Sequence, residues 1–67
     1  IGQSAGQFIR NYRLNTAREL LLKNRETKQM NIAEIAYEVG FNDPKYFARC
    51  FSKQFNTTPS ALLNEEE

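Results

Sequence analysis

The 67-residue chain has no histidine and no tryptophan, a single cysteine, three glycines and two prolines. Each shortage excludes something. Without histidine there is no imidazole general base, no Ser–His or Cys–His pair, and no histidine-based metal site. No nucleophile–base pair or cluster of metal-ligating residues is visible either, so the chain is not expected to be an enzyme or to carry a cofactor or metal. Cys50 alone cannot close an internal disulfide, which fits a reducing compartment and a cytoplasmic protein; its expected role is that of a small packed residue. No apolar run approaches the roughly 18 residues of a membrane span, and no signal-peptide pattern opens the chain. No stretch alternates apolar and polar residues as a half-buried strand does.

What is present is one small domain's worth of amphipathic sequence, 40% hydrophobic and 25% charged. The net charge of +1 is unevenly distributed. Three of the eight acidic residues are Glu65, Glu66 and Glu67; over residues 1–64, nine basic residues face five acidic ones, a net +4. Glutamates at a helix C-terminus oppose its macrodipole, so the tail is expected to fray.

Helical periodicity divides the chain into four segments, and the expected fold is all-α. The first runs from about Ser4, capping with Gln7 three residues on, to Asn24. It carries two apolar stripes: Ile9, Leu14, Ala17, Leu20 and Leu21 on one side, Phe8, Tyr12 and Leu22 on another. A surface helix needs one, so this helix is expected to pack against two bodies. Residues 25–29 read as a loop. The second segment runs from Asn31 to about Val39, with Asn31 and Glu34 forming a capping box and Ile32, Ile35, Ala36 and Val39 facing inward. Gly40 suits the left-handed position that stops a helix. Asp43 then caps a third segment, residues 43–55, with Pro44 at its first position; Thr58-Pro59 starts a fourth containing Ala61, Leu62 and Leu63. Ala36 and Gly40, four apart, are expected to keep the second helix small where the third crosses it, the layout of a helix-turn-helix.

The third segment has two opposed rows. Phe47, Phe51 and Phe55 recur every four residues, and so do Lys45, Arg49 and Lys53, about 200° away around the helix. One row must be buried and the other must face outward. On the second helix of a helix-turn-helix, an outward basic row lies where a DNA reader makes its base and phosphate contacts.

The stretch "IAEIAYEVGFNDPKYFARCFSKQFNTTPSALL" resembles the second helix-turn-helix of the AraC/XylS transcription regulators. The matching residues are Ile35, Ala36, Val39, Gly40 and Phe41, then Tyr46, Phe47, Arg49 and Phe51, then Phe55, Thr58, Pro59 and Ser60. "FIRNYRLNTARELLLKN" is similar to the helix that links this family's two helix-turn-helix units. The resemblance implies a bacterial transcription activator that binds double-stranded DNA, with segment 43–55 as recognition helix in the major groove. It assigns base contacts to Pro44, Lys45 and Arg49, and backbone contacts to Asn31, Asn42, Tyr46, Lys53 and Thr58. It also implies an RNA polymerase contact in the full-length protein.

The sequence departs from the family pattern in three ways. Asn56 replaces the usual glycine after the last phenylalanine of the recognition helix, a residue that also tolerates the left-handed conformation. Leu62 and Leu63 stand where Tyr-Arg is common. Only one helix-turn-helix is present. "GQSAGQFIR" echoes "NTTPSALLN", which follows a helix-turn-helix, so a first unit is expected upstream of Ile1. The expected organisation is therefore a linker helix and loop (1–30), a second helix-turn-helix with an end helix (31–64) and an acidic tail (65–67), the C-terminal part of a longer regulator. The Phe8, Tyr12 and Leu22 stripe, without its partner, is expected to drive self-association of the isolated chain. The same stripe supports an alternative function, a helical protein–protein interaction module with salt-independent binding.

Overall fold

A computed structural model describes residues 4–64; the expected acidic tail lies outside the described residues. Four helices follow in order: α1 (Ala5–Thr27), α2 (Ile32–Glu38), α3 (Pro44–Phe55) and α4 (Pro59–Leu63). The all-α class expected from the periodicity is borne out. At 1.5 Å per residue, α1's 23 residues span about 34 Å, and this helix sets the 36 Å long axis of the molecule. The other three helices all pack against α1.

The N-terminal caps form where the side chains allow. Ser4 accepts from Gln7 N, Asn31 and Glu34 form a reciprocal capping box, Asp43 accepts from Lys45 N, and Thr58 accepts from Ala61 N. The Asp43-Pro44 and Thr58-Pro59 pairs each place a proline where its missing N–H has no helical partner to lose.

The end of α1 differs from expectation. The helix continues to Thr27, through the first three residues of the expected loop, and stops at Lys28 in the left-handed region (φ 52). The physical cause is Asn24. This 5% exposed side chain folds over the helix end and binds the chain that follows. Its Oδ1 accepts from Gln29 N at 2.9 Å and Met30 N at 3.0 Å, and its Nδ2 donates to Met30 O. The last turn is held in register instead of unwinding.

The core is one cluster: Leu14, Ala17, Leu21, Ile35, Ala36, Phe41, Phe47, Phe51 and Leu62. Two of the expected stripe positions on α1 fall elsewhere. Ile9, assigned to the core side, is 46% exposed, because burial on α1 begins only at Leu14 and the preceding turns extend past the core. Leu22, assigned to the open stripe, is half-buried against the core, because three helices around α1 widen its inward-facing arc. Phe8 and Tyr12 are exposed, at 63% and 68%.

The junction between α2 and α3 ends α2 in a Schellman arrangement. Phe41 N donates to Ala36 O at 2.9 Å and Gly40 N donates to Tyr37 O at 3.1 Å, with Gly40 at φ +104. Phe41 then drops into the core at 6% exposure. Gly40 is not small for the sake of α3, as its spacing from Ala36 suggested. A Cβ there would lie 3.0 Å from Nε of Arg13 on α1. The end of the exposed Arg13 side chain can swing aside, so Gly40→Ala is expected to cost about 1–2 kcal/mol through its positive φ. An unchanged urea midpoint for this variant would contradict that account.

Candidate nucleic-acid interface

α3 is built to present one face. Phe47 and Phe51 are fully buried and Phe55 is half-buried, so the aromatic row points into the core as expected. The rings form a continuous chain: Phe41–Phe47 centroids lie 5.2 Å apart, Phe47–Phe51 5.7 Å and Phe51–Phe55 4.7 Å, all tilted or edge-on. Such aromatic pairs add to plain burial. Arg18 of α1 covers the far end, 5.8 Å above the Phe55 ring. With the aromatic row anchored, α3 cannot rotate about its axis.

The opposite row is then fixed outward. Lys45, Arg49 and Lys53 are exposed and, among the described residues, carry no ion pair. The row runs eight residue steps, about 12 Å along the helix, comparable to the width of a DNA major groove. Between Val39 and Asn64 the only acidic residue is Asp43, whose carboxylate is engaged with Lys45 N at the helix start. The face is cationic because no described residue on it compensates the charge.

The other residues expected to contact DNA flank this row. Asn42 is exposed in the turn and Pro44 is half-buried at the first position of α3. Tyr46 is 44% exposed, its ring 6.1 Å from that of Phe41. Asn31 and Thr58 lie at the starts of α2 and α4, away from the α3 row in sequence. Asn31 uses both its side chain and its N–H in the capping box with Glu34, and Thr58 uses its hydroxyl on Ala61 N.

Two residues outside the expected set border the same surface. Arg10 donates from Nη1 to the Tyr46 hydroxyl at 3.5 Å, and Arg13 packs over Gly40. The sequence holds one signal for them: residues 1–18 contain three arginines and no acid. Among the described residues no group of His, Cys, Asp or Glu could hold a metal ion, and no helix is long and apolar enough to cross a membrane.

The profile of a helix-turn-helix domain family matches residues 1–65. Among curated proteins, the chain is 50% identical over 58 residues to a protein named histidine kinase P4 from Formosa agariphila, covering 87% of the chain and 4% of that protein. It is 38% identical over 61 residues to the transcriptional activator RhrA of Rhizobium meliloti (91% of the chain, 19% of the relative). It is 39% identical over 59 residues to the probable transcription factor PqrA of Proteus vulgaris (88% and 45%). The chain thus spans less than half the length of each of these relatives. No solved structure matches it at comparable significance.

Proposed function

The chain belongs to the AraC-type helix-turn-helix domain family, and from that membership we propose that it reads DNA with α3 in the major groove as part of a transcription regulator. The observation that carries this reading is the rotational lock on α3: a buried phenylalanine row forces Lys45, Arg49 and Lys53 outward, with no acidic partner among the described residues. The family is one of transcription regulators, not of enzymes. The kinase named among the relatives does not change this. The stretch it shares with this chain is 4% of that kinase.

In this reading Pro44, Lys45 and Arg49 meet base edges, since they lie on the first two turns of α3. Arginine has the donor fork that pairs with guanine O6 and N7. Asn42, Tyr46 and Lys53 meet the sugar–phosphate backbone on either side. Asn31 and Thr58 mark helix starts where amides can receive phosphate. Capping uses the Asn31 and Thr58 side-chain oxygens as acceptors, which leaves the Asn31 side-chain amide and the Thr58 hydroxyl hydrogen to donate to that phosphate beside the first-turn amides. The domain serves a longer bacterial regulator with a second reading unit and an RNA polymerase contact.

A single reading unit of low net charge is expected to bind DNA by itself near the non-specific range, roughly 10⁻⁴ to 10⁻⁶ M at physiological salt. Arg49→Ala is expected to relax base choice at one position of the site, losing about 1–3 kcal/mol of discrimination. Lys53→Ala is expected to weaken all sequences alike and to lower the slope of log K against log salt by about one. Binding-site selection and a salt titration on both variants test this. If Lys53→Ala altered the selected motif while Arg49→Ala left it unchanged, the orientation of α3 in the groove would be wrong.

The second reading, a protein interaction module, rests on Phe8, Ile9 and Tyr12, which remain exposed together on α1. This surface lies on a different element from the basic row, so the two readings are compatible. They separate by salt: apolar docking persists as ionic strength rises, whereas phosphate binding weakens.

A further inference from the structure

α1 and the helix-turn-helix enclose two open grooves. One is bordered by Gly6, Ile9 and Arg13 of α1 and by the turn around Gly40–Asp43. The other is bordered by Asn11 and Leu14 of α1 and by Arg49, Cys50 and Lys53 of α3. Only Arg10 and Tyr46 border both. They form the wall between the grooves, one residue from each helix, 36 positions apart in sequence, with Arg10 Nη1 donating to the Tyr46 hydroxyl.

We infer that Arg10 is a further phosphate-contacting residue, held beside the recognition helix by Tyr46, so that the DNA-binding surface continues from α3 onto α1. This rests on the DNA-binding reading above and extends it to a helix that the reading does not use.

Three observations support the assignment. Arg10 shares the second groove with Arg49 and Lys53, and among the described residues none of the three has an acidic partner. Three like charges around one groove repel each other unless an anion sits among them. Tyr46 is not a loose anchor: its ring leans on Phe41, which is itself buried in the core. A guanidinium has five N–H donors in a planar fork. The Tyr46 bond uses one, leaving the rest for phosphate oxygens, which arginine binds in bidentate fashion. The Tyr46 hydroxyl accepts from Arg10, so its own hydrogen is available to the same backbone.

The test measures binding of the protein to a short duplex that it selects and to a scrambled duplex, across a range of salt. Arg10→Gln is expected to weaken both about three- to tenfold at low salt and to lower the salt slope by about one, with the selected motif unchanged. Arg10→Lys should recover the slope. Tyr46→Phe, which keeps the ring, removes both the anchor of Arg10 and the hydroxyl's own backbone contact, so it should weaken binding more in the wild-type background than on top of Arg10→Gln. A salt slope unaltered by Arg10→Gln overturns the proposal, including the case where affinity falls only because the urea midpoint falls. If that happens while Arg49→Ala still changes the selected motif, the role of Arg10 is lost and the reading by α3 stands. If neither duplex binds the wild-type protein at low salt, the DNA reading fails and takes this proposal with it.

Discussion

Phe47→Ala is expected to unfold the domain in the absence of denaturant. The side chain is fully buried and sits in the middle of the aromatic chain, in contact with both Phe41 and Phe51. Removing a buried phenylalanine ring costs about 3–5 kcal/mol, part lost transfer energy and part cavity. A single core below about 70–80 residues rarely supplies more than that, and among the described residues no disulfide or metal cluster supplements it. The cavity would open where α3 joins the turn, so Phe41 and Tyr46 lose their support together. Far-UV circular dichroism should show loss of helix at room temperature, and DNA affinity should disappear with it. Phe47→Leu, which fills most of the space, should remain folded with a lower urea midpoint. A cooperative transition for Phe47→Ala at the wild-type midpoint would show that the aromatic chain is not what positions α3.

Much of this arrangement is legible in the residue pattern, because the signals are local. A phenylalanine every fourth residue, opposed to a cation every fourth residue, fixes which face of α3 is inside before any tertiary contact is known. Asp43-Pro44 and Thr58-Pro59 set helix starts through their own side chains, and Gly40 and Asn56 set helix ends through positive φ, at 104° and 58°. The misreadings are at places where distant parts decide. Ile9 has the periodicity of a core residue, but its burial depends on how far along α1 the other helices reach. Gly40 keeps open a space for Arg13, 27 positions earlier, not for the helix that follows. Arg10 joins the basic face only through a hydrogen bond across 36 positions. Arg25 is another such case: within what looked like a loop, its Nε donates to the Leu62 carbonyl at the end of α4, at 2.9 Å across 37 positions.

Asn24 is the misread residue with the largest expected consequence. Asparagine has low helix propensity, and at this position it looks like the natural end of a helix. Instead the helix runs three residues beyond it, and the side chain serves as the hinge pin between α1 and α2. Its oxygen accepts two backbone N–H groups, those of Gln29 and Met30, and also the Thr27 hydroxyl at 3.3 Å; its amide donates to Met30 O. Asn24→Leu keeps the volume but removes every one of these partners and keeps water out of the site. Each buried polar group left unpaired costs about 1–3 kcal/mol, so a net loss of roughly 2–4 kcal/mol is expected after partial relaxation of the loop. Asn24→Asp should fall between Leu and wild type: it still accepts from Gln29 and Met30 but cannot donate to Met30 O, and sets a carboxylate against that carbonyl. Urea midpoints should therefore rank wild type, Asp, Leu in descending order. Hydrogen exchange at the Gln29 and Met30 amides should accelerate in the Leu variant ahead of exchange in α3. If Asn24→Leu matched wild type in both measurements, the path of the loop would be set by the packing of Met30 and Ile32 against the core, and not by the side chain of Asn24.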